Sequence, residues 1–275
     1  MLDVPADVVA NTWLSSDYNV LSLASPGIAS VARPGQFVMV KPVGGLDPLL
    51  RRPFSIFEIL RDEDGEPTGI SLLNKRVGTG TSLLFAARVG DVVPTLGPLG
   101  RPFEPVDPPA EAWMVAGGVG LAPFATLAEA LAARGTATTL FYGARTGDDL
   151  YYRHLFEDLG VALVLATEDG STGARGFITG PLTGALERRP ADRPVVVYAC
   201  GPTPMMRAVA DLGARARRDV FVSLEPVMGC GMGGCYSCVV PVRRDGGSHY
   251  VRSCLDGPVF DAASLVWDTL PSGGH

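Results

Sequence analysis

The chain has 275 residues, 47% hydrophobic and 19% charged, which is enough to bury a substantial core and suggests about two domains. Its formal net charge of -6 argues against a nucleic-acid surface or a basic face drawn to a membrane, and favours a small-molecule or protein partner. Met1 to Ala10 carries Asp3 and Asp7 without a basic leader, and apolar runs such as Trp113 to Ala116 fall far short of the roughly 20 residues needed to cross a bilayer. The sequence thus predicts neither a signal peptide nor a transmembrane segment, and a cytoplasmic location.

From about residue 8 to 100 the pattern is one of short strands broken by turns. Val8 to Thr12, Asn19 to Leu23 and Phe37 to Val40 read as strands, punctuated at Pro26-Gly27, Pro34-Gly35 and Gly44-Gly45, which predicts a small antiparallel barrel or sandwich. Prolines 102, 105, 108 and 109 form a plausible linker. Strand and helix signals then alternate. Ala112 to Ala116, Thr138 to Tyr142, Val161 to Ala166 and Val195 to Cys200 read as strands, and Leu121 to Arg134, Leu150 to Leu159 and Pro204 to Arg217 as helices. That alternation predicts a parallel-sheet α/β domain of nucleotide-binding type. Phe221 to Leu224 reads as a strand opening a third module, which continues into a glycine-rich loop. The predicted division is therefore 1–103, 104–220 and 221–275.

Four of the five cysteines crowd into the third module as Cys230-x4-Cys235-x2-Cys238, with fifteen residues between Cys238 and Cys254. Three thiolates on one loop, with the fourth returning from elsewhere, is the ligand arrangement of plant-type [2Fe-2S] centres. Glycines 229, 231, 233 and 234 let the backbone wrap a cluster and aim its N–H groups inward, which stabilises the added charge of the reduced state. A four-sulfur zinc site and unliganded buried thiols are the alternatives. Cys200 stands apart, and is by itself readable as a small core residue.

Ala116-Gly117-Gly118-Val119-Gly120-Leu121-Ala122-Pro123 lies between a predicted strand and helix, where a glycine turn brings a dinucleotide to helix N–H groups. It lacks the full G-x-G-x-x-G form, and a turn needed only for packing is the plainer reading. Cys200-Gly201-Pro202 ends another strand at the sheet edge where ligands bind, so a nicotinamide ring could lie against it. Arg145, after the Thr138 to Tyr142 strand, could meet a 2'-phosphate or stay solvated.

Arg51-Arg52-Pro53-Phe54-Ser55 offers cations for a pyrophosphate and a hydroxyl for a flavin edge, against the plainer reading of a solvated basic pair and a core phenylalanine. Val77-Gly78-Thr79-Gly80-Thr81 could supply further N–H groups to the same phosphates. A nicotinamide delivers two electrons together whereas a [2Fe-2S] cluster takes one at a time, and a flavin can divide the pair.

With RRPFSI at 51–56, VGTGT at 77–81, GPLG at 97–100, AGGVGLAP at 116–123, CGPTPM at 200–205 and EPVMGCGMGGCYSC at 225–238, in that order, the chain resembles the electron-transfer subunits of type B, NAD-linked dihydroorotate dehydrogenases within the ferredoxin reductase superfamily. The resemblance covers nearly the whole chain. It implies an N-terminal antiparallel β-barrel for FAD, a central NAD-binding domain and a C-terminal [2Fe-2S] lobe. It further implies that Arg52, Pro53, Phe54 and Ser55 with Val77, Gly78, Gly80 and Thr81 hold FAD. Gly117, Gly118 and Gly120 with Cys200, Gly201 and Pro202 would face NAD, and Cys230, Cys235, Cys238 and Cys254 would ligate the cluster. No residue of this chain is expected to act as an acid or base on the pyrimidine. The implied partner is a separate FMN subunit that oxidises dihydroorotate, in a heterotetramer serving pyrimidine biosynthesis. Related reductases that serve ferredoxin, a hydrogenase or another acceptor share the plan, and a zinc-stabilised interaction protein is the non-enzyme alternative. Gly229, Tyr236 and Ser237 depart from the family's usual residues at those positions.

Overall fold

The computed structural model describes residues 1–42 and 47–270. The predicted Gly44-Gly45 turn lies outside the described residues. Among them, two seven-stranded sheets and a hairpin carry the fold.

The N-terminal sheet comprises β1 (Leu2–Trp13), β2 (Tyr18–Ala24), β3 (Phe37–Val40), β4 (Arg52–Ser55), β5 (Ile59–Arg61), β6 (Pro67–Lys75) and β7 (Val92–Leu99) in the order β4-β3-β7-β1-β2-β6-β5. Every pairing is antiparallel, and the sheet curls around a core of alternate residues that includes Val8, Leu21, Leu23, Val38, Ile70 and Val93. The period-two spacing of these side chains is what sends them to one face. Between the strands lie two short helices, α1 (Pro26–Ala29) and α2 (Thr79–Phe85).

The expected linker is docked rather than loose. Phe103 is fully buried, its ring stacked on Phe124 and edge-on to Tyr198.

The central sheet is built from β8 (Glu111–Gly117), β9 (Thr138–Ala144), β10 (Ala162–Thr167), β11 (Ala174–Arg175), β12 (Val195–Cys200) and β13 (Asp219–Ser223), all paired in parallel. After the hairpin β14 (Val239–Arg244) and β15 (Gly247–Arg252), the chain returns through β16 (Val259–Asp261), which pairs antiparallel with β13. The sheet is therefore mixed at one edge. The strand expected at Phe221 to Leu224 runs from Asp219 to Ser223 and is hydrogen-bonded into this sheet.

Both faces of the sheet are covered, which is why its strands are nearly continuously apolar. Met114 and Ala116 of β8 pack toward α3 (Phe124–Ala132), α4 (Arg153–Asp158) and the N-terminal unit, through Phe57, Leu73 and Phe103. Trp113 and Val115 face the other way, toward α5 (Thr179–Arg188), α6 (Thr203–Ala216) and the hairpin. Cys238 and Cys254, the latter on the short helix α7 (Ser253–Asp256), bury against Phe37, Met39, Leu96 and Leu99 of β3 and β7. The cysteine lobe is thus seated on the barrel as well as on the central sheet.

A candidate two-cleft electron-transfer site

The strand order β11-β10-β9-β8-β12-β13 reverses between β8 and β12. Ligands of open α/β sheets bind at such a reversal, beyond the carboxyl ends of the strands. The two motifs that arrive there are the glycine turn after β8 and Cys200-Gly201-Pro202 after β12. A cleft of about 750 Å³ opens between them, lined by Gly117, Gly118, Gly201 and Pro202. Gly118, with φ at +55° and open space where a Cβ would stand, gives the cleft a bare backbone wall. Gly120 has a different place. It is buried, and a Cβ on it would lie 2.3 Å from the Cys200 carbonyl oxygen, so it permits β12 and the turn to approach one another.

Cys200 is fully buried behind the cleft wall, with its Sγ 4.0 Å from Oε1 of Glu225. Burial, reinforced by the Glu225 carboxylate, pushes this thiol well above its ordinary range and keeps it neutral. Arg145, Glu168 and the exposed Phe177 are also among the residues that line the cleft.

A second cleft, of about 610 Å³, is lined by residues 52–55 on β4 and 77–81 at the start of α2. Both volumes lie in the range of cofactor pockets. The two adjacent arginines divide their roles: Arg51 is paired with Asp3, 2.8 Å away, whereas Arg52 lines the cleft and is held by donation from Nη1 to the Leu50 carbonyl at 2.8 Å. A guanidinium fixed in this way is poised to meet an anionic ligand group. A Cβ on Gly80 would lie 3.0 Å from Arg52 Nε, so the loop and the arginine are fitted to each other. Within the loop the Thr81 hydroxyl oxygen accepts the N–H groups of Val77 and Gly78 at 2.9 and 3.0 Å, so those two amides are spent on loop shape. A flavin dinucleotide needs an aperture of this size, a fixed cation for its pyrophosphate and a polar edge such as Ser55, and the residues present fit that group.

The two clefts adjoin, sharing Lys75, Val119 and Glu225. Glu225 is accessible from the clefts but surrounded by protein, and desolvation pushes its carboxyl up to about 6. It was not singled out from the sequence, although it immediately precedes the cysteine loop. The second cleft continues to Gly229 and Ser237 of that loop.

In the loop Cys230 and Cys235 are mutual neighbours, and Cys238 of the loop neighbours Cys254 of α7. Cys235 is exposed and Cys230 half-buried, while Cys238 and Cys254 are buried. Hydrogen bonding, chiefly from the Ser237 side chain, pushes the Cys235 thiol down to about 6; burial pushes Cys254 up to about 12, with Cys238 adding to the shift. Among the described residues no group of three or more His, Cys, Asp or Glu side chains is arranged for a single metal ion. Two sulfur pairs fit the chemistry of a two-iron cluster, in which each iron takes two protein thiolates. The Met232 N–H points at Cys230 Sγ from 3.3 Å, the kind of donor such sulfurs accept.

This arrangement defines a class, NAD-linked iron-sulfur oxidoreductases. The family model described as an oxidoreductase NAD-binding domain matches residues 114–211, and that of the iron-sulfur cluster binding domain of dihydroorotate dehydrogenase B matches 225–266. The dihydroorotate dehydrogenase B (NAD(+)) electron transfer subunit of Shouchella clausii is 38% identical over 94% of this chain and 96% of its own. That of Desulforamulus reducens is 36% identical over 96% and 98%. This chain belongs to the family of dihydroorotate dehydrogenase B electron transfer subunits. Among solved structures, a chain of the NADH-dependent reduced ferredoxin-NADP oxidoreductase superposes with a TM-score of 0.82 at 30% identity, covering 96% of this chain and 91% of that one. The Amycolatopsis cytochrome P450 reductase GcoB gives 0.65 at 26% identity, covering 78% and 66%.

Proposed function

We propose that this chain is the NAD-linked electron-transfer subunit of a dihydroorotate dehydrogenase, working beside a separate FMN-containing subunit that oxidises dihydroorotate. The observation that carries the reading is continuity: the cleft at the sheet reversal opens into the cleft of Arg52, which runs on to the cysteine loop. When bound, FAD and the [2Fe-2S] cluster supply the exchange between a two-electron hydride and single electrons.

The chain's own residues bind, orient and shield. Arg52 holds the flavin pyrophosphate, with Pro53, Phe54 and Ser55 along one side and Val77, Gly78, Gly80 and Thr81 along the other. Gly117, Gly118 and Gly201 present bare backbone, and Pro202 its ring, to the nicotinamide nucleotide, while Gly120 and buried Cys200 support that wall from behind. Cys230, Cys235, Cys238 and Cys254 hold the cluster. Dihydroorotate meets no acid or base of this chain, because its pocket belongs to the partner.

The functional division is 1–103 for FAD, 104–220 for NAD and 221–275 for the cluster, and the setting is a cytoplasmic heterotetramer. Among the described residues no helix is long and apolar enough to cross a membrane. The test is anaerobic copurification with the FMN protein, cofactor analysis of the complex, and dihydroorotate-dependent reduction of NAD+. A complex that contains FAD, iron and acid-labile sulfide but reduces NAD+ only from another donor refutes the assignment to dihydroorotate. The likeness to the ferredoxin-NADP oxidoreductase chain makes ferredoxin the first alternative acceptor to try.

A further inference from the structure

Ser237 stands between two cluster cysteines, and its hydroxyl has two near neighbours. The oxygen accepts the Gly229 N–H at 2.8 Å, and the same oxygen lies 3.1 Å from Cys235 Sγ. A hydroxyl has one proton to give. Since Gly229 already donates to it, the serine proton is free to point at the sulfur, and an iron-bound thiolate has no proton of its own to offer in return. The direction of the bond is thereby fixed from Ser237 to Cys235. Gly229 keeps the space open: a Cβ there would lie 3.2 Å from Cys235 Sγ and 3.4 Å from Ser237 Oγ. Ser237 also lines the cleft of Arg52 and Ser55.

We infer that Ser237 is a positioning residue that raises the reduction potential of the cluster by donating to the Cys235 thiolate on the flavin side, with Gly229 holding the donor in place. This rests on the reading of the four cysteines as [2Fe-2S] ligands. One-electron reduction places added negative charge partly on the thiolate sulfurs, and a donor to sulfur stabilises that charge more than it stabilises the oxidised state. Of the two sulfur pairs, Cys238 and Cys254 are buried among apolar side chains, whereas Cys235 is exposed beside a hydroxyl. The donor therefore acts on the outer pair. Water could also donate there, but the Gly229 amide fixes the serine oxygen in place and orients its proton before the electron arrives.

The experiment is a spectroelectrochemical titration of the cluster in the purified holo-complex, for the unaltered chain, Ser237→Ala, Ser237→Thr and Gly229→Ala. Ser237→Ala is expected to keep iron, acid-labile sulfide and visible absorbance while shifting the one-electron equilibrium about tenfold toward the oxidised cluster, a fall of about 59 mV. Ser237→Thr, which keeps the hydroxyl, is expected to hold the original potential. Gly229→Ala, whose Cβ presses first on Cys235 Sγ, is expected to lower it by shifting the sulfur away from the hydroxyl, and to add little when combined with Ser237→Ala. An intact cluster with an unchanged potential in Ser237→Ala overturns the inference and leaves the cluster assignment standing. If Ser237→Ala fails to load iron, Gly229→Ala decides in its place by the same criterion. Lack of iron and acid-labile sulfide in the unaltered complex overturns the cluster reading itself.

Discussion

Asn74→Leu removes the end of an amide chain that reaches the Arg52 cleft at Thr81. Asn74 is 1% exposed, and its Nδ2 donates to Asn19 Oδ1 at 2.7 Å and to the Thr81 carbonyl at 3.0 Å. Asn19 donates in turn to Asn11 Oδ1, and Asn11 to the carbonyls of Phe85 and Ala87 at either side of the end of α2. Strands β1, β2 and β6 are thereby tied to the loop and helix that line the cleft. Leucine orphans two acceptors, at about 1–3 kcal/mol each, but also removes the Asn74 Oδ1 atom, which has no partner of its own and costs about 1 kcal/mol. The net loss expected is roughly 1–5 kcal/mol, part of it expressed as freedom of the Thr81 loop, with FAD affinity falling about tenfold for each ~1.4 kcal/mol lost there. Urea unfolding of the N-terminal unit and fluorescence titration of FAD measure the two parts. A variant within about 0.5 kcal/mol of the parent, with unchanged FAD affinity, refutes the reasoning, because surface substitutions of no consequence fall in that range.

Arg52→Ala removes the fixed cation of the flavin cleft, and a charge-assisted bond of about 1.5–3 kcal/mol corresponds to roughly 10–100-fold weaker FAD binding, measured by equilibrium dialysis. Arg51→Ala, which loses only an ion pair to Asp3, is expected to leave that affinity within about threefold. Cys235→Ser replaces a proposed cluster ligand and is expected to abolish or strongly destabilise the cluster, seen as loss of visible absorbance and of acid-labile sulfide; a retained parental spectrum removes Cys235 from the ligand set. Glu225, raised to about 6 by desolvation, holds a proton in the folded chain that the unfolded chain releases, so its contribution to stability falls as pH rises from the ordinary carboxylate range through 6. Above that point its charge faces both clefts, and affinity for cationic NAD+ relative to NADH is expected to rise through pH 6. Glu225→Gln should flatten that rise, and an unchanged profile refutes the role.

Much of this protein is legible in one dimension because its chemistry is carried by local spacing. The Cys-x4-Cys-x2-Cys loop puts three sulfurs within reach of one another however the remainder folds, and the alternation of strands and helices after residue 110 dictates a parallel sheet. Phe37 to Val40 and Val195 to Cys200 begin and end where their apolar runs do. Tertiary structure decided what depends on contacts between distant segments. The resemblance singles out Arg52, and the tertiary structure supplies the reason: Arg51 is engaged by Asp3 whereas Arg52 lines the cleft. Tertiary structure also placed Gly120 against the Cys200 carbonyl and Gly118 in the open, within one glycine turn. Phe221 to Leu224 reads in the sequence as the opening of a third module, whereas its strand, Asp219–Ser223, pairs with β12 and β16 within the central sheet. Glu225 was not singled out from the sequence; its importance arises because β13 runs parallel to β12 and delivers the residues after it to the carboxyl edge of the sheet, at the junction of two clefts. The sequence by itself determined which groups are present and the metal chemistry they suit. Their relative placement, which sets an electron path, came from the packing of sheets whose residues lie far apart along the chain.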